Sequence, residues 1–308
     1  MKKSRMSLRG GARLRDDEAI PPRREEIATL PSVARNDTPI PLSLPPYAGE
    51  IAEPYAMPQF LAVLADPGRL LAGPGVEVLL AGRNTVAASK AALDERRQVD
   101  VVVKSFGSAG LAKLKSLVQP SKAAKAWRGA QALVAAGFRT APPIAYLERR
   151  RRGFVSESFF VAGRLAGPVE IRGLLRDLPR EKLEPLLAAL AGELARAHGR
   201  GLLHRDLSDG NVLVDSDGSA FRFFFLDTNR VRVRRRLGAA SRAKNLVRLG
   251  VPPDLRPFFL DRYAAAPGRP PGPGFRLWYR LAKGTFAGWV RLKKKLRLKA
   301  LARKLKIQ

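Results

Sequence analysis

Asp206 and Asn211 stand five residues apart in His204-Arg205-Asp206-Leu207-Ser208-Asp209-Gly210-Asn211, and Asp227 closes the apolar run Phe223-Phe224-Phe225-Leu226 soon afterwards. A carboxylate and a carboxamide at that separation in a tight loop can orient a hydroxyl and hold a hard cation side by side, which phosphoryl transfer requires. Asp206 is the candidate for accepting or orienting the proton of an acceptor hydroxyl. The transferred group is electrophilic enough to need positioning more than a strong base. Asn211 and Asp227 offer the oxygen ligands that Mg2+ prefers, leaving phosphates and water to complete an octahedron. His204 is expected to pack and hydrogen-bond in support of the loop rather than to titrate. A single Asp or Asn in a loop is ordinarily turn chemistry; here several features agree.

The elements around this loop are those needed to hold it. Leu183, Leu186, Leu187, Leu190, Leu194 and Ala197 recur at helical spacing before Gly199 and Gly201, which predicts a helix feeding directly into the loop. After Asn211, Val212-Leu213-Val214 and Phe221 to Leu226 flank Asp217-Gly218, the pattern of a hairpin. Upstream, Val76 to Leu80, Thr85 to Ala88 and Val99 to Lys104 read as three short strands opening a small antiparallel sheet. Ser121 is placed to cap a helix through Trp127, Leu133 and Val134 that stops at Gly137 and Pro142-Pro143. Another strand around Glu157 to Val161 precedes Gly163 and Gly167, where a connection between two lobes is expected.

Composition limits the alternatives. Cysteine is absent and only two His occur, so disulfides and thiolate or zinc clusters are not expected. The N-terminus is basic with no apolar export segment, and nowhere do roughly 18 apolar residues run together, so neither secretion nor a spanning helix is expected. The formal charge of +30 fixes the sign of partners as anionic. Residues 1–50 mix charge with seven prolines and show no sustained apolar period, which suggests a disordered arm. Residues 266–308 open with a Pro/Gly linker and continue as a basic helix. In it, Trp289, Leu292, Leu296, Leu298, Leu301 and Leu305 form an apolar face beside many lysines, an arrangement suited to an anionic membrane surface.

Together these residues resemble the protein-kinase-like superfamily, and more narrowly the bacterial lipopolysaccharide core kinases that phosphorylate heptose or 3-deoxy-octulosonic acid. The similarity covers roughly residues 75–265. It is carried by Val101 to Phe106, Trp127 through Gly137-Phe138-Arg139-Thr140-Ala141-Pro142, Ala195-Arg196-Ala197-His198 through Asn211, Leu226 to Arg230, and Asn245-Leu246-Val247-Arg248-Leu249. The resemblance implies an α+β, two-lobed protein-kinase-like fold, with a small antiparallel-sheet N-lobe over about 75–162 and a mainly helical, shortened C-lobe over about 163–265. It implies ATP and Mg2+ as cofactors, Asp206 as catalytic, Asn211 and Asp227 as metal ligands, and Lys104 presented to the α- and β-phosphates. Gly82, in the turn between the first two strands, is the candidate phosphate lid, although the repeated glycines of such loops are missing.

The implied acceptor is an anionic glycolipid or sugar, and the implied location is cytoplasmic, peripheral on the inner face of the membrane. One departure stands out. No acidic residue lies between Lys104 and Glu148, and Ala126 falls where the helix glutamate that partners the strand lysine is expected. A nucleotide-binding pseudokinase regulating a membrane partner is therefore the competing expectation. Other small-molecule kinases, including antibiotic kinases, share the Asp-to-Asn spacing. Nucleic acid is not expected as a partner, because charge alone points to it and no reading motif or stacking platform accompanies the charge.

Overall fold

A computed structural model describes residues 38–304 apart from 83, 108–113, 115, 217, 219 and 269, with side chains described as far as residue 296. The chain opens with β1 (Pro39–Leu44), β2 (Tyr47–Ala52) and α1 (Pro58–Leu64), followed by β3 (Glu77–Leu80), β4 (Asn84–Ala92) and β5 (Gln98–Phe106). Next come α2 (Lys122–Ala135), β6 (Pro143–Arg151) and β7 (Phe154–Gly163). The seven strands form one antiparallel sheet in the order β1-β2-β6-β7-β5-β4-β3. Ser121 caps α2, its hydroxyl accepting from the Ala124 N–H at 3.0 Å, and Gly137 ends the helix at φ +72°.

Two expectations about the first fifty residues need correction. Residues 39–50 are not a disordered arm but most of β1 and β2, so the folded unit starts near residue 39 rather than 75. The prolines mislead because Pro cannot donate to a ladder. Pro39 and Pro41 sit on β1, the edge strand, where that loss is tolerated. The remainder of the expected arm, residues 1–37, lies outside the described residues.

The second lobe is built from β8 (Val169–Glu170), α3 (Ile171–Asp177), α4 (Arg180–Gly199), β9 (Leu202–His204), β10 (Val212–Ser216), β11 (Phe221–Phe225) and β12 (Val231–Val233), then α5 (Ala239–Leu246), α6 (Arg256–Ala265) and α7 (Phe275–Lys304). Each lobe has its own apolar core. One is centred on Trp127, Phe60, Val101 and Leu147, the other on Leu186, Leu187, Leu190, Phe225 and Phe259. The leucines of α4 at 183, 186, 187, 190 and 194 are all buried, and removing any one side chain to Ala should cost about 2–5 kcal/mol. β10 and β11 pair as the hairpin read from sequence. Of its expected turn, Gly218 is at φ +88° and Asp217 lies outside the described residues.

The C-lobe does not end at residue 265. Phe275 and Tyr279 of α7 are buried in its core, with Phe275 stacked on Tyr263 at 5.0 Å. The first turns of the expected free-standing basic helix are thus part of the lobe. An aromatic pair separated by a Pro/Gly stretch leaves no periodic signal of where it docks.

Candidate active site

The loop between β9 and β10 is closed by its own polar groups. The Ser208 N–H donates to the Asp206 carbonyl at 2.8 Å, the Asn211 N–H to the Ser208 carbonyl at 2.9 Å, and Leu207 is buried as an anchor. The Asn211 Nδ2 also donates to the Asp206 carbonyl, at 2.8 Å. That bond fixes the amide orientation and leaves Oδ1 as the acceptor facing away from it. The Leu226 N–H donates to the Asn211 carbonyl at 2.9 Å, so the two candidate metal ligands are one backbone bond apart. Asp227 itself lies in the left-handed region, φ 54° and ψ 49°. For a non-glycine residue this carries strain of about 1–3 kcal/mol and is found where a side chain must be aimed.

His204 holds the same corner. Its Nε2–H donates to the Leu226 carbonyl at 2.7 Å, and burial pushes the imidazole below its ordinary pKa, so the ring is a neutral strut.

A cleft of about 630 Å³ runs between the lobes, with Val86, Val102, Phe160, Leu213 and Leu226 on its apolar walls. Lys104, Asn211 and Asp227 all line it, and the backbone of Gly163, Arg164 and Leu165 forms one edge at the interlobe connection. Lys104, from inside β5 rather than its end, reaches across the cleft and pairs directly with Asp227. Asp206 is not on the cleft wall but beside it, joined through Asn211. Gly82 does not line the cleft either. The turn it occupies presents Asn84 instead, because Asn84 begins β4 while Gly82 precedes it.

α2, which carries no glutamate, is held against the second lobe by its backbone. Ala126 lines the cleft, and its carbonyl accepts a hydrogen bond from the Thr228 hydroxyl at 2.7 Å, immediately after Asp227. A Cβ on Gly129, one turn further on, would lie 2.0 Å from the Thr228 carbonyl oxygen. α2 therefore presses backbone against backbone on the Asp227 turn, while Lys104 takes Asp227 itself as its partner.

Five further side chains, none given a role from the sequence, complete the site. Asp206 pairs with Arg248, which follows α5, and lies 3.6 Å from the Nε of Arg230. The Asn245 Nδ2 donates to the His204 carbonyl at 2.6 Å, and its Oδ1 accepts from Nε2–H of the buried His198 at 2.9 Å. The other ring nitrogen of His198 then accepts from the Tyr263 hydroxyl at 2.7 Å. All but Tyr263 fall in runs that carry the resemblance, which gave them no role.

The donor set suits a hard divalent cation: a carboxylate and a carboxamide oxygen at one end of a cleft. Among the described residues no group of three or more His, Cys, Asp or Glu could hold a metal. A cation here must therefore take its remaining ligands from phosphate and water, as Mg2+ does in nucleotide sites.

Residues 112–252 match the model of the lipopolysaccharide kinase (Kdo/WaaP) family. No curated protein sequence matches the chain. A solved structure described as "WaaP in complex with acyl carrier protein" is similar, with 22% sequence identity, a TM-score of 0.48, and coverage of 71% of this chain and 88% of that one.

Proposed function

From the match of residues 112–252 to the lipopolysaccharide kinase (Kdo/WaaP) family model, we propose that the chain moves the γ-phosphoryl group of ATP to a sugar hydroxyl of a lipopolysaccharide-core glycolipid at the cytoplasmic face of the membrane. The observation that carries this reading is the meeting of Lys104, Asn211 and Asp227 in one cleft, with Asp206 tied to Asn211 beside it. The apolar walls accept a base, and Lys104 meets the α- and β-phosphates. Asn211 Oδ1 and the Asp227 carboxylate would hold Mg2+, which supplies charge neutralisation between phosphates. Asp206 receives the proton of the acceptor hydroxyl as that oxygen bonds to phosphorus. Arg248 and Arg230 keep its carboxylate aimed.

Membrane attachment is assigned to α7. Trp278, Leu281, Trp289, Leu292 and Leu296 fall on one face and are exposed, while Phe275, Tyr279 and Phe286 on another face meet the lobe. Cations accompany the exposed face, including Lys293 over the Trp289 ring at 5.2 Å. Each contributes about 1 kcal/mol near anionic lipid. No helix among the described residues is long and apolar enough to cross a membrane.

The test is phosphate transfer from ATP to core-sugar acceptors in the presence of Mg2+. Asp206→Asn should lower turnover by about 10²–10⁴-fold while nucleotide still binds. Unchanged turnover in that variant would remove Asp206 from the mechanism. Nucleotide binding with no transfer across a broad acceptor panel would favour a regulatory pseudokinase, the reading that Ala126 in the cleft wall supports.

A further inference from the structure

α7 reaches the candidate catalytic carboxylate through one side chain. Lys283 stands among the turns of α7 that pack on the lobe, and its Nζ donates to the carbonyls of Val247 at 2.6 Å and Leu249 at 3.4 Å. These two carbonyls flank Arg248, whose guanidinium pairs with Asp206. The Val247 carbonyl also stands at the C-cap of α5, where helix carbonyls lack intrahelical partners and favour a cation, and Leu249 lies just beyond it. Val247 and Leu249 are buried, whereas the Arg248 side chain is 40% exposed, so its aim is set by its backbone rather than by packing around its head. Burial holds the Lys283 ammonium below the usual lysine range, with Arg256 acting in the same direction and Asp209 against it. An ammonium kept half-buried against that tendency implies that the two carbonyls compensate it.

We infer that Lys283 is a positioning residue: it clamps the backbone on either side of Arg248 and so keeps Arg248 on Asp206, making α7 a structural part of the active site. What Asp206 does once aimed rests on the phosphotransferase reading; where Lys283 acts does not.

Two readouts on the full chain separate these. Lys283→Met and Lys283→Arg are compared with the unaltered protein by amide hydrogen exchange and by phosphate transfer. In Lys283→Met, exchange should rise in the peptides covering residues 203–211 and 246–250 and stay unchanged in α4. The kcat should fall about tenfold with KM for ATP unchanged, the pattern of a misaimed group rather than lost binding. Lys283→Arg, which keeps a donor and its charge, should restore both. Exchange in residues 203–211 unaltered by Lys283→Met, or raised equally throughout the lobe, overturns the inference whether or not the chain proves to be a kinase. Absence of transfer by the unaltered protein would count against the kinase reading alone, with exchange still deciding the role of Lys283.

Discussion

Lys104 and Asp227, 123 residues apart in the chain, form an ion pair across the interlobe cleft, with each side chain less than a quarter exposed. The pair ties the sheet of one lobe to the turn that follows the hairpin of the other, and places an ammonium beside a carboxylate at the cleft.

Replacing Lys104 with Met should therefore weaken nucleotide binding by about tenfold or more, since a charge-assisted contact is worth about 1.5–3 kcal/mol. Titration calorimetry with ATP and Mg2+ measures it. Equal affinity in the variant would show that the lysine faces Asp227 without meeting the nucleotide.

Gly129→Ala tests the backbone contact between α2 and the Asp227 turn. A methyl group 2.0 Å from the Thr228 carbonyl cannot be accommodated without moving α2 or the Asp227 turn. Overpacking of this kind typically destabilises by about 1–3 kcal/mol. Denaturant unfolding should register the loss, and a variant as stable as the parent would mean that α2 sits further from the turn.

The buried His198 predicts an acid-sensitive fold. Burial lowers its pKa from 6.5 to about 4, so between those values the unfolded chain takes up a proton that the folded one refuses. Its contribution is complete above pH 6.5 and is lost as pH falls towards 4, amounting to roughly 3 kcal/mol over the whole range. His204, shifted in the same direction, adds to it. Stability measured at steps through this window should decline, with a shallower slope in His198→Gln. Identical slopes would place the proton uptake elsewhere.

Vesicle binding checks the exposed face of α7. Trp278→Ala combined with Trp289→Ala should release the protein from anionic vesicles, as should raising salt towards 1 M, where charges are screened within about 3 Å. Binding equal to that of neutral vesicles, or insensitive to salt, would assign the aromatic face to another partner.

The parts of this molecule that could be read in advance are those whose meaning is local. The spacing from Asp206 to Asn211, the hairpin to Asp227 and the leucine repeat of α4 each announce themselves within a few turns of chain. β1 and β2 stayed hidden because their prolines imitate a loop, and an edge strand is the one place where that imitation fails. The roles of Arg248 and Lys283 were invisible for a different reason. Among 57 lysines and arginines, nothing in the order of residues marks the few that fold back onto the carboxylate and its supporting carbonyls. His198 was legible only as part of a run that carries the resemblance, since its partners Tyr263 and Asn245 lie 65 and 47 residues away.

The close approach of Gly129 to Thr228 bears on how such a protein is governed. Kinases that hold their strand lysine with a mobile glutamate can be switched off by swinging that helix outward. Here the helix is seated on the turn that carries Asp227, fastened by the Thr228 hydroxyl, and has no acid to withdraw. A control that works by withdrawing a helix acid therefore has nothing to act on in α2, and moving this helix would instead disturb the Asp227 turn itself.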